Sequence, residues 1–489
     1  MKVKSLKHNF IMYSIRTLLN LCFGIIIFPY VARKLGPTGI GKVQYVEAVT
    51  AYFLLFINLG ILNYGKREVA FFRDDKVKLS KLVIELLYIL ITTTIFGIIC
   101  YFILINKVEI LKKEKIIFYI FSFQIIFNFL GVEWFYEGIE NQTYITNRNI
   151  IFKIISGILI LLLVKGQEDV NRYAIILVFA LVGSNILNFI KLFQYIDIKV
   201  IEKIKYKEIK KHFKPLSILF FSVLALSISY NLDSIMIEKF SSIEELGYYS
   251  FASKMGKVPT IFTGAVVTVF YPRLCNLIQN NKNEEYINLT KKALNIILLI
   301  ALPCSIGMYY TSDLIVKIFA GNEFINSTSI MKVFSIYIFI ISIATFTGSI
   351  TLLANRMEKI FTISLVIGSF FNFLFNLIFI PKIGAFGAAM ATLITEGIAI
   401  LIRLIMGKKL FVKIEILEKN YLKILISSLT IIPIVSLIKI KVTSLIFQLL
   451  LSIIVGGVVY TISLIIMKEK ISVLILKKII NKFIAGKKK

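Results

Sequence analysis

Arg16, Lys254 and Lys257, the carboxylates Glu47, Asp233 and Glu396, and the amide Asn20 all lie inside long apolar runs of this 489-residue chain. An ionisable group in a bilayer span costs a few kcal/mol or more unless it faces protein or water, so each is a default site candidate. Spacing groups them. Arg16, Asn20 and Gly24 recur at helical intervals and form one polar stripe. Glu47, Ala51 and Asn58 share a face, as do Ser222, Ser229 and Asp233. Ser250, Lys254 and Lys257 form another, with Pro259 following to interrupt the helix. Thr392, Glu396 and Arg403 form the last. Lys257 lies roughly ten residues into its span, too deep to snorkel easily. No carboxylate in that span neutralises it.

Bland roles compete with each of these. Arg16 follows Lys7–Asn9 closely enough to snorkel to headgroups. Glu47 suits a helix-end cap, Arg403 reads as interfacial, and Asp233 and Lys254 suit mutual neutralisation. Glu133, beside Trp134 and in step with Glu137 and Glu140, reads as a cytoplasmic rim rather than a cavity group.

The elements that must position these residues are membrane helices. The chain is 57% hydrophobic with a mean hydropathy of +0.83. At about 1.5 Å per residue, about 20 apolar residues cross a hydrocarbon core of about 30 Å. Fourteen stretches qualify, at approximately 10–32, 43–64, 82–105, 116–136, 144–164, 173–195, 215–237, 247–270, 293–311, 327–353, 359–380, 384–406, 421–438 and 443–467. The expected class is an all-α polytopic membrane protein of about 14 transmembrane helices. The first span is too long for a signal h-region, and Ala32-Arg33-Lys34-Leu35-Gly36 follows it in place of a small-residue cleavage site.

A net charge of +29 would suit nucleic acid, but its placement argues against that partner. Basic residues crowd alternate loops: Lys66–Lys81, Lys191–Lys214, Arg403–Lys423 and Lys468–Lys489. About 39 of the 57 Lys and Arg fall on the side of the N-terminus and about 14 opposite, which makes both termini cytoplasmic. Loops with Arg33, Lys34 and Lys42, and with Lys107, Lys112, Lys113 and Lys115, run against that bias. Cys22, Cys100, Cys275 and Cys304 show no CxxC spacing and read as small apolar residues. His8 and His212 sit in basic segments, and no spacing suggests a metal site or a cofactor.

The segment Lys191–Lys214 divides two groups of six spans, giving expected units at 1–205, 206–412 and 413–489. Gly39-Ile40-Gly41-Lys42-Val43-Gln44-Tyr45 in the first half has a counterpart in Glu245-Leu246-Gly247-Tyr248-Tyr249 in the second, with Gly41 opposite Gly247. Six spans per half preserve orientation, so the expected arrangement is two pseudo-symmetric lobes around a central cavity, one rocking against the other. The last two spans fall outside the repeat.

The stretch Pro29-Tyr30-Val31-Ala32-Arg33-Lys34-Leu35-Gly36-Pro37-Thr38-Gly39-Ile40-Gly41 resembles the end of the first helix in Wzx-type polysaccharide flippases. These belong to the multidrug/oligosaccharidyl-lipid/polysaccharide exporter superfamily. Leu232-Asp233-Ser234-Ile235-Met236-Ile237 with Leu246-Gly247-Tyr248-Tyr249, and Tyr271-Pro272-Arg273, resemble the seventh and eighth helices. Asn355-Arg356, Asn372, Asn376, Pro381 and Gly384-Ala385-Phe386-Gly387-Ala388-Ala389-Met390-Ala391-Thr392 are similar to the eleventh and twelfth. The two final spans resemble the extra pair of peptidoglycan-precursor flippases.

The resemblance implies a flippase moving undecaprenyl-diphosphate-linked oligosaccharide across the bacterial cytoplasmic membrane by alternating access. It is not an enzyme on this reading. Cations in a partly dehydrated cavity would attract the diphosphate. Tyr248, Tyr249 and Trp134 could stack on sugars. Proton, sodium and membrane-potential drive all stay open, and a polysaccharide polymerase or other pathway protein is a candidate partner. A lipid II-like flippase and a cation-coupled multidrug exporter are the alternatives. The exporter should favour acidic lobes, whereas Arg16, Lys254 and Lys257 make this one basic. A membrane polymerase or ligase needs catalytic groups on a sizeable outer loop, and the longest, roughly Thr311–Asn326, is short and lacks His.

Overall fold

In the computed structural model the described residues are 6–197, 199, 206–414 and 418–474, and they contain helices and no strand. Eleven helical stretches among them are long and apolar enough to cross a membrane, so the chain is a multi-pass membrane protein. The expected unit boundary at 205/206, part of the basic segment Lys191–Lys214, most of the tail Lys468–Lys489, and the side chains of Ser222 and Ser229 lie outside the described residues. The chain divides into two compact units, residues 1–247 and 248–489.

Unit 1 contains α1 (Leu6–Asn58), α2 (Ile61–Phe72), α3 (Lys76–Lys107), α4 (Glu109–Lys112), α5 (Lys115–Ile126), α6 (Glu133–Gly138), α7 (Gln142–Leu163), α8 (Val170–Leu192), α9 (Tyr206–Lys210), α10 (Phe213–Phe240) and the start of α11 (Ile243–Gly256). α1 packs against α3, α5, α7 and α10, while α6 is held between α2 and α7. Two of the expected spans form this one long α1, which kinks at Gly36 (φ 66°, ψ 177°). That backbone conformation is open to glycine and strained for residues with a Cβ.

The expected continuous span at 116–136 is instead broken. α5 stops at Ile126, a 3₁₀ turn covers Asn128–Leu130, and α6 starts afresh at Glu133. The break is anchored by polar contacts that periodicity does not reveal. Asn128 donates to Asn58 Oδ1 at 3.1 Å, and Gly131 lies against the Asn185 amide.

Gly41 and Gly247, aligned by the internal repeat, meet in a reciprocal contact within unit 1. A Cβ on Gly41 would collide with the carbonyl oxygen of Ile243, and one on Gly247 with that of Pro37. Each glycine thus faces the oxygen four residues before its counterpart. Only a residue without a side chain permits this backbone approach.

Unit 2 carries the rest of α11, then α12 (Thr260–Gln279), α13 (Asn283–Phe319), α14 (Ser327–Thr345), a π-helical continuation (Phe346–Leu353), α15 (Glu358–Met406), α16 (Lys408–Ile414), α17 (Lys419–Leu429), α18 (Ile431–Lys441) and α19 (Leu445–Ile466). α13 is its spine. It packs against α12, α14, α17, α18 and α19 through a core that includes Ile297, Leu298, Phe346, Ile424 and Leu464. The span expected at 247–270 breaks where Pro259 requires it, as α11 ends at Gly256 and α12 begins at Thr260. The outer loop read as Thr311–Asn326 is shorter than expected, because α13 continues to Phe319 before Gly321 turns the chain at φ 88°.

Candidate functional site

In unit 1 the polar site is built on α6. Trp134, Phe135 and Tyr136 are buried on one side of this short helix, and Tyr136 donates to the Asn188 carbonyl of α8 at 2.6 Å. Gly65 of α2 lies flat against the Trp134 ring, and Gly138 against Val69. With the aromatic side clamped, Glu133 and Glu137, one turn apart, project together from the other. They meet three cations from three helices. Arg16 of α1 reaches Glu133 at 2.5 Å and Glu137 at 3.3 Å. Arg148 of α7 takes the second Glu133 oxygen at 2.9 Å, and Lys66 of α2 the second Glu137 oxygen at 3.1 Å.

The burial of these groups is graded. The Arg148 side chain is 3% exposed and the Glu133 side chain 37%. Beyond its contact with Glu133, Arg148 Nε and Nη1 meet no acceptor. A guanidinium enclosed in that way raises the cost of burying its charge. Two turns along α1 from Arg16, Phe23 receives the ammonium of Lys153 at 4.5 Å from its ring centroid.

Arg16 thus ties α1 to α6, and Arg148 adds α7 through the shared Glu133. Glu133 and Glu137, read from the sequence as a rim, are its partners. Arg148 was not singled out, although it stands inside the span 144–164 and the rule for intramembrane charges applies to it equally. Of the remaining unit 1 candidates, Asn20 and Glu47 are exposed on α1. Asp233 is buried in α10, with Tyr52 of α1 within electrostatic reach.

In unit 2 the site forms around the α11–α12 break. The Lys257 N–H still bonds back to Ser253 O at 3.1 Å, and Thr260 then caps the Lys257 carbonyl through its hydroxyl at 2.6 Å. This places the Lys257 ammonium 5.4 Å from the Phe334 ring centroid and 5.7 Å from that of Tyr337, both on α14. Facing aromatic π-systems partly replace the water a buried ammonium loses. Glu396 of α15 lies within electrostatic reach of Lys257 and of Arg403, the latter two turns along its own helix. Lys257 and Glu396, separated by most of unit 2 in sequence, are thus brought together. Lys254 is exposed on α11.

Arg403, in the last turn of α15, is 2% exposed. Its Nε donates to Ser364 Oγ at 2.8 Å, its Nη1 to the Ala344 carbonyl at 2.7 Å, and its guanidinium lies 5.0 Å from the Phe361 centroid. The Ala344 carbonyl stands where α14 passes into the π-helical segment, and it also accepts from the Thr347 hydroxyl at 3.2 Å. Gly348 leaves room for the guanidinium, which would lie 3.2 Å from a Cβ there.

A family model described as polysaccharide biosynthesis protein matches residues 6–278. A model described as lipid II flippase MurJ matches residues 149–459. The capsular polysaccharide biosynthesis protein CapF of Staphylococcus aureus is 22% identical over 82% of this chain and 99% of its own length. A putative O-antigen transporter of Escherichia coli K12 is 22% identical over 80% of this chain and 94% of its own. Among solved structures, lipid II flippase MurJ in an inward closed conformation superposes with a TM-score of 0.72 at 23% identity, covering 94% of this chain and 100% of that one. An inward-facing multidrug resistance transporter of the MATE family superposes with a TM-score of 0.61 at 14% identity, covering 83% and 99%. Each family model spans more than half of the sequence, and the fold is shared with these solved transporters: the chain belongs to the polysaccharide biosynthesis protein family.

Proposed function

We propose that the protein is a flippase that carries an undecaprenyl-diphosphate-linked oligosaccharide repeat unit from the inner to the outer leaflet of a bacterial cytoplasmic membrane. On this reading both termini are cytoplasmic and the units 1–205 and 206–412 act as the moving lobes. The observation that carries the reading is Lys257. It is a cation within an apolar span, set at a helix break, facing two aromatic rings and within electrostatic reach of one carboxylate. Such a group suits a diphosphate, whose charge cannot cross hydrocarbon alone. The similarity to a capsular polysaccharide biosynthesis protein and a putative O-antigen transporter supports the same cargo class. Arg16, Asn20, Glu47, Asp233, Lys254 and Glu396 complete the proposed substrate path, and H+ or Na+ is the candidate coupling ion.

Replacement of Lys257 by Ala tests it. Surface polysaccharide should be lost while the protein still reaches the membrane, and Lys257→Arg should retain part, since charge is kept but geometry altered. Normal export at normal expression of Lys257→Ala would falsify the assignment. A second reading, a lipid II-type cargo, is favoured by the MurJ family match at residues 149–459. Rescue of a strain depleted of its peptidoglycan-precursor flippase, without any effect on surface polysaccharide, would move the conclusion to it.

A further inference from the structure

The unit 1 cluster has a feature that the flippase reading leaves unused. Three cations, Arg16, Arg148 and Lys66, face two carboxylates, Glu133 and Glu137, so one positive charge is in excess. The carboxylates occupy the geometry an oxyanion would take. Each Glu133 oxygen accepts from a different guanidinium, Oε1 from Arg16 and Oε2 from Arg148, as two oxygens of a phosphate would. The more exposed partner is the carboxylate, and the enclosed one is Arg148, whose Nε and Nη1 still lack acceptors. An anion arriving from the open side meets Arg16 and the excess positive charge, while the Arg148 donors without acceptors stay enclosed.

We propose that Glu133, assisted by Glu137, is a resident competitor for the substrate's diphosphate. It holds Arg16 and Arg148 in place while the site is empty, yields Arg16 to the incoming headgroup, and takes it back to drive release. The proposal rests on the flippase reading. Glu133 is then a specificity-determining residue: it keeps the two arginines from binding ordinary phosphate tightly, because any anion must displace a carboxylate already hydrogen-bonded to both. Of the two arginines Glu137 contacts Arg16, at the longer distance of 3.3 Å, and it contributes less.

The chain contains a single tryptophan, and it is Trp134, the neighbour of Glu133 on α6. Its emission therefore reports on this helix without labelling. Full-length protein in lipid nanodiscs would be titrated with farnesyl diphosphate, inorganic pyrophosphate and, as a charge-reversed control, a quaternary ammonium amphiphile. Removing the competitor's charge with Glu133→Gln should lower the Kd for farnesyl diphosphate roughly tenfold, the scale of one charge-assisted hydrogen bond. Polysaccharide export in cells should fall at the same time, since release slows. Tighter binding with slower export is a combination that a purely structural residue would not give.

Because Glu133→Gln leaves Arg148 enclosed without a carboxylate, Glu137→Gln provides a variant that does not touch it. There the Kd should fall by roughly threefold. Unchanged or weaker farnesyl diphosphate binding in whichever variants fold overturns the proposal. Tightening for pyrophosphate but not for farnesyl diphosphate overturns the assignment to a lipid headgroup. Deletion of the gene separates the two levels. Unaltered surface polysaccharide after deletion sinks the flippase reading itself, whereas lost polysaccharide with unchanged affinity in Glu133→Gln and Glu137→Gln sinks only the exchange.

Discussion

Two arginines on long helices, Arg16 in unit 1 and Arg403 in unit 2, face the same physical problem and are solved differently. Arg16 is balanced by carboxylates on a short, separately anchored helix, one of them substantially exposed. Arg403 is enclosed and held by neutral oxygens, Ser364 Oγ and the Ala344 carbonyl, together with an aromatic face. An ion pair at a partly open site can be exchanged for another anion at modest cost, since water compensates the separating charges. A guanidinium locked to backbone and hydroxyl in a closed interior cannot, because each lost bond leaves a buried polar group unmet. The difference marks the unit 1 cluster as exchangeable and the Arg403 contacts as structural.

The largest expected effect tests the structural half of that contrast. Arg403→Ala removes the donor to Ala344 and the cation near Glu396, and should cost about 3–5 kcal/mol. Thermal unfolding in detergent should show a strongly lowered midpoint, and Arg403→Lys should not restore it, as one ammonium cannot reproduce the planar fork. A midpoint within a degree or two of the parent protein would remove the distinction between the two sites.

Next in size is a carboxylate held by neutral donors, the mirror case to Glu133. Glu469, just beyond α19, is fully buried and accepts from Asn295 at 2.9 Å, Asn420 at 2.8 Å and the Ser472 N–H and hydroxyl at 2.7 Å each. Burial alone pushes its pKa up, but these hydrogen bonds outweigh it and bring the value down to about 2. The folded pKa lies below the ordinary carboxylate value, so its stabilisation is present above about pH 4.5 and is lost as pH falls towards 2. It amounts to no more than roughly 3 kcal/mol. Acid titration of the unfolding midpoint should therefore flatten between pH 4.5 and 2 in Glu469→Gln relative to the parent. Parallel curves would show that the Asn295–Asn420–Ser472 cradle contributes no pH-dependent stability.

Gly65→Ala probes the anchoring of α6. The new Cβ would lie 2.5 Å from Trp134 Cε3, so the ring must move. Overpacking of this kind costs about 1–3 kcal/mol, and here it should also shift Trp134 emission and displace Glu133 from its arginines. An unshifted spectrum would show that α6 accommodates the methyl without moving. The smallest effect belongs to Lys66→Ala. Its ammonium is half exposed, so stability should change by less than about 1 kcal/mol, while anion binding weakens slightly through lost positive charge. A larger destabilisation would make the unit 1 network structural after all.

Much of the site was legible in the chain because hydrocarbon penalises charge so heavily that intramembrane ionisable residues stand out. Lys257 and Glu396 were found in that way, and Pro259 announced the helix break beside Lys257. The pairing of Glu133 and Glu137 was not legible, because the break at Asn128–Gly131 that sets α6 apart is not registered by apolar periodicity. Arg403 was legible as a charge on the face of Thr392 and Glu396, but only the packing of α14 against α15 encloses it. The Gly41–Gly247 pairing was visible as a repeat, but its meaning as a backbone contact emerges only in the folded chain.

The sequence by itself determined the class of the protein, the approximate positions of its apolar helices, and the residues carrying charge into the membrane. These follow from local quantities, namely the length of an apolar run and the cost of one buried charge. Tertiary structure alone decided which charges are paired. Arg16, Lys66, Glu133 and Arg148 come from four different helices, and no spacing along the chain relates them. Whether a cation is available to a cargo or already satisfied depends on what lies within about 4 Å of it, and in a helical membrane protein that neighbour is supplied by another helix.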